Sequence, residues 1–230
     1  EVWLAEQRQP LRRTLAIKVI KRGMDTGEFV ARFESERQAL ARMDHPHIAR
    51  VLDAGADEGG RPFFVMELVP GVELTTHMAG RALPPDEVRH IARQLAAGLE
   101  AAHESGIVHR DLKPANVMIS DEGDVKILDF GLARAWYGDV ESQSDPSSAP
   151  TITAAMTQAG AILGTAAYMS PEQARGVYVD RRADIWAFGV IMVEMLGGAQ
   201  LFKGEILGDI LVGVLRESLE WGAVPVEEAP

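Results

Sequence analysis

The chain has 230 residues, enough to bury a substantial core, and its 47% hydrophobic and 25% charged content is that of an ordinary globular protein rather than a disordered one. A formal net charge of −11 argues against a nucleic-acid partner, which basic patches meet, and the lack of cysteine rules out a disulfide framework or a thiolate metal site. No stretch reaches the roughly 18 apolar residues of a membrane span, and Glu1, Glu6 and the Arg12-Arg13 pair interrupt any apolar signal-peptide core.

Residues 2–4 and 14–20 are β-rich runs joined by a polar connection containing Pro10, which predicts a hairpin with Lys18 inside its second strand. Phe29, Phe33, Leu40 and Met43 then recur at helical spacing. Glu36 falls on that same stripe, three after Phe33 and four before Leu40, whereas Glu28 and Glu34 lie off it. A carboxylate on an apolar stripe needs a cation.

Pro46 stops this helix, and residues 48–52 and 62–68 read as two further strands around a glycine-rich turn, completing a small antiparallel sheet. Pro84 and Pro85 followed by Asp86 and Glu87 open a helix whose buried stripe is Val88, Ile91, Leu95 and Leu99, and Gly106 ends it. His45 and His47 flank Pro46 without a third ligand at metal spacing, so both are expected to be structural or solvated.

The densest polar chemistry lies in residues 107–132, which read IVHRDLKPANVMISDEGDVKILDFGL. Residues 117–119 and 125–128 are apolar runs around Asp121-Glu122-Gly123-Asp124, the pattern of a hairpin. Antiparallel pairing brings Asn116, just before the first strand, and Asp129, just after the second, to the same open end. Two hard oxygen ligands there suit Mg²⁺, which is usually held by one or two protein groups together with substrate phosphates. Asp111 and Lys113 lie two apart in extended chain and so face one side. The acid can orient and deprotonate a hydroxyl while the cation neutralises a transferring phosphoryl group.

HRDLKPAN followed by DFG resembles the catalytic and metal-binding loops of eukaryotic-type Ser/Thr protein kinases. The resemblance implies a two-lobed α+β fold, with a small antiparallel sheet and helix C in residues 1–69 over a mainly helical lobe in residues 70–230. It implies Asp111 as catalytic base, Lys113 as the phosphate-side cation that marks Ser/Thr rather than Tyr kinases, and Asn116 and Asp129 as Mg²⁺ ligands. By the same resemblance LAIK matches the motif whose lysine, here Lys18, contacts the ATP phosphates and pairs with the helix C glutamate, here Glu36. Val2 and Ala16 would line the adenine pocket with Met118, Met66 would be the gatekeeper, Glu67 to Val69 the hinge, and Glu73 a ribose contact. Val2 matches only the last position of the family's glycine-rich loop, so that loop is expected upstream of Glu1, and the family's last helices beyond Pro230.

Residues 136–160 are rich in Ser, Thr, Gly, Pro and Ala without periodicity and precede Ser170-Pro171-Glu172, where kinases have APE. The resemblance makes them the activation segment, with Gly164-Thr165 facing substrate and its threonine touching the catalytic acid and lysine. Arg110 calls for an anion, and phosphorylation at Thr151, Thr153 or Thr157 would bring one. Asp139 or Glu141 is the alternative partner. Residues 184–196 are apolar on nearly every side and predict a helix buried all round. The resemblance makes it the family's central helix, whose Asp184 would anchor the catalytic-loop backbone; a plain N-cap is the alternative, and the two roles are compatible. Residues 206–215 predict one more helix.

The reading is therefore a cytoplasmic enzyme that uses ATP and Mg²⁺ to phosphorylate Ser/Thr of protein substrates in bacterial signalling. No nucleic-acid or membrane contact is expected of this segment. A non-catalytic pseudokinase scaffold would normally lose Lys18, Asp111 or Asp129, and a small-molecule phosphotransferase of related fold is disfavoured by Lys113 and the SPE segment.

Overall fold

The computed structural model describes residues 1–19, 43–130 and 162–216. Glu36 and the threonines 151, 153 and 157 lie outside the described residues. So does Leu40, while Val51 packs against the main core, of which Phe130 is part.

The described residues form an α+β fold. Strands β1 (Val2–Gln7), β2 (Arg13–Val19), β3 (Val51–Ala56) and β4 (Pro62–Glu67) make an antiparallel sheet in the order β1-β2-β4-β3. A second sheet, β5 (Val72–Glu73), β6 (Val117–Ile119) and β7 (Val125–Ile127), lies among the helices. These are α1 (Leu74–Met78), α2 (Pro85–Glu104), α3 (Ile162–Ala166), α4 (Pro171–Ala174), α5 (Arg182–Gly197) and α6 (Leu207–Leu215).

Helix α2 starts as its sequence predicts: Pro85 takes the first helical position, where no amide hydrogen is required, and Asp86 and Glu87 meet the positive end of the dipole. Its stripe of Val88, Ile91, Leu95 and Leu99 is at most 5% exposed and packs against Ile127 of β7 and Ile191 and Met195 of α5 in one core. Each such side chain, fully buried, contributes about 1.5–3 kcal/mol. That core is the platform beneath the polar loop 109–116.

Three expectations require correction. The strand placed at 48–52 begins instead at Val51, because residues 47–49 pair first with β7: the Ala49 amide donates to Ile127 O and the Ile127 amide to His47 O. This short parallel bridge ties the second sheet to the chain entering the first. Helix α5 is not buried all round, since Ile185 is 57% exposed, though its opposite side, Asp184, Ala187, Ile191 and Met195, is buried. Nor is Asp184 the N-cap of α5, a position held by Arg181; it lies within the first turn and is directed at the backbone of His109 and Arg110.

Strand β5 and helix α1 were not anticipated. Gly71 (φ 118°) makes β5 possible, since a Cβ there would lie 2.1 Å from Ile119 O on β6. Only glycine lets the two backbones approach this closely.

Candidate active site

The hairpin β6–β7 pairs Val117 with Ile127, and the Leu128 amide donates to Asn116 O at 2.8 Å, so the open end is closed by Asn116 and Leu128 with Asp129 next in line. Asn116 ends a 3₁₀ turn, Pro114–Asn116, in which Pro114 fixes the entry. Its side-chain nitrogen donates to Asp111 O (2.8 Å) and to Asp111 Oδ2 (3.3 Å). With the nitrogen engaged there, the amide oxygen is the atom left to serve as a metal ligand.

Lys113 Nζ lies 2.9 and 3.2 Å from the two oxygens of Asp111 and donates to Thr165 Oγ1 at 2.8 Å. Acid, ammonium and hydroxyl thus share one cluster, and both charged side chains keep access to solvent, at 29% and 21% exposure. A cavity of about 470 Å³ opens beside Lys113 and Thr165, bordered by Met78, Tyr168 and Glu194.

The loop is held from below. Asp184, 1% exposed, accepts from the His109 amide (2.8 Å), the Arg110 amide (2.8 Å) and His103 Nε2 (2.8 Å). Buried His109 has a fixed tautomer: Nδ1 accepts from the Asp111 amide at 3.2 Å, so Nε2 carries the hydrogen and donates to Leu128 O at 2.8 Å. Its ring meets Phe130 edge to face, centroids 4.7 Å apart. One imidazole therefore joins the loop carrying Asp111 to the strand end carrying Asp129.

Asp129 Oδ2 lies 2.6 Å from Lys18 Nζ, and the two side chains are 20% and 19% exposed. Lys18 is the penultimate residue of β2. Residues directly opposite in an antiparallel sheet share a face. Val2 opposes Lys18, Lys18 opposes Phe64, and Ala16 opposes Met66. Val2, Ala16, Lys18 and Met66 therefore line one face, with Val2 63% exposed. On the second sheet Glu73, Met118 and Lys126 form one row, and Lys126 Nζ reaches Glu67 Oε1 at 2.5 Å. That ion pair ties the row of Glu73 and Met118 to Glu67 at the end of β4, two residues before the partly buried Val69. The Glu67 amide already donates to Arg50 O at 3.0 Å and is not available to a ligand.

The donor set fits one Mg²⁺ shared with phosphate oxygens. Asn116 and Asp129 supply oxygen ligands only, and among the described residues no group of three or more His, Asp or Glu forms a complete protein cage for a metal.

The protein kinase domain model matches residues 4–221. The chain belongs to the protein kinase domain family. This kinase domain is 42% identical over 197 residues to serine/threonine-protein kinase PknL of Mycobacterium tuberculosis, a match covering 85% of the chain and 45% of that relative. It is 39% identical over 201 residues to serine/threonine-protein kinase PknB of Mycobacterium leprae and 38% identical over 205 residues to a probable PknB of Bifidobacterium longum, covering 85% of the chain and 30% and 28% of those relatives. The chain thus spans less than half the length of these curated relatives. No described helix of the kinase domain is long and apolar enough to cross a membrane.

Sequence reasoning missed Lys126, His103 and Gln173. The pattern Ser170-Pro171-Glu172-Gln173 carries the signal of a capping box, which α4 has: the Gln173 amide donates to Ser170 Oγ and the Ser170 amide to Gln173 Oε1. Nothing local signals that Gln173 also reaches Arg110.

Proposed function

We propose that this kinase domain transfers the γ-phosphoryl group of ATP to Ser or Thr hydroxyls of proteins, in bacterial signalling. The observation that carries the reading is the Asp111, Lys113 and Thr165 cluster beside Asn116. Asp111 accepts the proton of the incoming hydroxyl, whose oxygen attacks the γ-phosphorus as the bond to ADP breaks. Lys113, fixed between Asp111 and Thr165, neutralises charge on the phosphoryl group in flight. Lys18 binds the α- and β-phosphates from its strand, with Glu36 as its further partner. Asn116 and Asp129 would hold Mg²⁺, which would supply charge neutralisation at the phosphates. Adenine lies against Val2, Ala16, Met66 and Met118 beside the 67–69 hinge, and Glu73 meets the ribose. Residues 1–69 and 70–230 form the two lobes that close on the nucleotide, and the cavity beside Lys113 and Thr165 gives a polypeptide acceptor room to enter.

The reading includes autophosphorylation at Thr151, Thr153 or Thr157 and activity in the cytoplasm, where ATP is supplied. The test is the full-length parent incubated with Mg·ATP labelled at the γ-phosphate and a protein acceptor, followed by phosphoamino-acid analysis. Label on serine and threonine that Asp111→Asn abolishes is expected. No transfer by the parent, or equal transfer by Asp111→Asn, overturns the assignment.

A further inference from the structure

Arg110, the residue before Asp111, has φ 65°. The left-handed region costs a non-glycine residue roughly 1–2 kcal/mol, and such a conformation persists only where surrounding contacts over-determine it. Two side chains do so here. The Arg110 amide donates to Asp184 Oδ1 at 2.8 Å, and the Arg110 carbonyl accepts from Gln173 Nε2 at 2.7 Å.

The carbonyl contact matters more for chemistry, because it belongs to the peptide plane that joins Arg110 to Asp111. The amide hydrogen of that plane points to His109 Nδ1. A peptide is planar and rigid, so holding its oxygen at one edge and its hydrogen at the other fixes the plane and the direction in which Asp111 leaves it. We propose that Gln173 is a positioning residue for Asp111: its side-chain amide locks the Arg110–Asp111 peptide, and through α4 it couples the Ser170-Pro171-Glu172 segment to the catalytic acid. The inference rests on the reading of Asp111 as the proton acceptor.

The orientation of the Gln173 amide is determined by its partners. Oε1 accepts from the Ser170 amide at 2.9 Å, which directs Nε2 to the Arg110 carbonyl; a flipped amide would set hydrogen against hydrogen and oxygen against oxygen. One group therefore caps α4 and clamps the loop at once. Glutamine is required for the second task but not for the first, since glutamate serves equally in a capping box.

That asymmetry supplies the test. In the full chain, Gln173→Glu keeps an acceptor for the Ser170 amide but turns a carboxylate oxygen toward the Arg110 carbonyl, breaking the clamp and sparing the cap. We expect kcat to fall on the order of tenfold or more, since small displacements of a catalytic group are costly. KM for ATP should stay within about twofold, because the Lys18 and Asp129 pair assigned to nucleotide makes its contact independently of Gln173. Hydrogen exchange at the amides of residues 109–111 should accelerate, with the global unfolding midpoint nearly unchanged. Gln173→Met, which removes both bonds, should show the same kcat loss and a lower midpoint. Wild-type kcat together with unchanged exchange in Gln173→Glu overturns the proposal, as does a kcat loss matched by an equal rise in KM for ATP and a collapsed midpoint. Activity retained by Asp111→Asn would instead overturn the role of Asp111, and the exchange measurement would still decide the clamp.

Discussion

Lys18 Nζ and Asp129 Oδ2 stand 2.6 Å apart, although one lies on β2 of the first sheet and the other just after β7 of the second. The pair joins the two parts of the fold across the place where a nucleotide's phosphates would lie. On the function proposed above the ammonium would serve phosphate and the carboxylate Mg²⁺, and the ion pair holds the two groups in register.

Lys18→Met should lower kcat by about a hundredfold or more in the full-length parent, since one preorganised charge at a phosphoryl group is commonly worth that much. Asp129→Asn should remove most of the Mg²⁺ dependence of nucleotide affinity while leaving metal-free binding nearly unchanged. Titration of both variants with ATP, with and without Mg²⁺, checks this. Near-normal turnover of Lys18→Met under saturating Mg·ATP would sink the assignment.

Asp184 accepts three hydrogen bonds while 1% exposed, and His103, one of its partners, is itself 11% exposed. Asp184→Ala leaves two backbone amides and an imidazole without their acceptor in the interior. Breaking such a buried network costs about 3–5 kcal/mol. For a chain of this size that corresponds to roughly 6–20 °C in Tm. Calorimetry or thermal circular dichroism reads the shift, and a change under about 2 °C would contradict it.

Much of the site was legible because its signals are local. The apolar runs 117–119 and 125–128 around a glycine turn predict a hairpin, and residues 117–119 and 125–127 are its strands, so that Asn116 and Asp129 share its open end follows from pairing alone. Asp111 and Lys113, two apart, face the same side as extended chain requires. What pairs across long sequence separation was not legible. Gln173 meets Arg110 across 63 residues and Lys126 meets Glu67 across 59, and no periodicity encodes either. Strand β5 escaped notice because two residues carry no pattern, and β3 was set too early because Ile48 is β-prone yet pairs with Ile127 instead of β4.

Thr165 gives Lys113 its second anchor at 2.8 Å. Thr165→Val keeps shape and removes the acceptor, whereas Thr165→Ser keeps it. The valine variant should lose about tenfold to a hundredfold in kcat for a protein acceptor, the serine variant less than threefold, by the loss of one charge-assisted bond of about 1.5–3 kcal/mol. Steady-state kinetics of both variants separates this from a general packing effect, which would penalise serine more than valine.

Glu194 is 3% exposed, and burial raises its carboxyl above the ordinary value of 4.5 even though the Leu201 amide and the Tyr168 hydroxyl, bonded at 2.9 and 2.8 Å, oppose the shift. Tyr168 is itself pushed up by burial and by Glu194, so it remains a donor throughout the working range. Above 4.5 the unfolded chain has released the Glu194 proton while the folded protein still holds it. Proton release then favours unfolding as pH rises. The stability this group contributes is therefore fully present below 4.5 and is lost as pH climbs through the raised folded value. Glu194→Gln cannot ionise and lacks that slope. The Tm of the wild type minus that of the variant should fall steadily from pH 4.5 upward and level off once Glu194 is ionised in both states. Thermal melts of the two proteins across that range provide the check, and a difference that stays flat or rises with pH would show that burial does not govern this carboxyl.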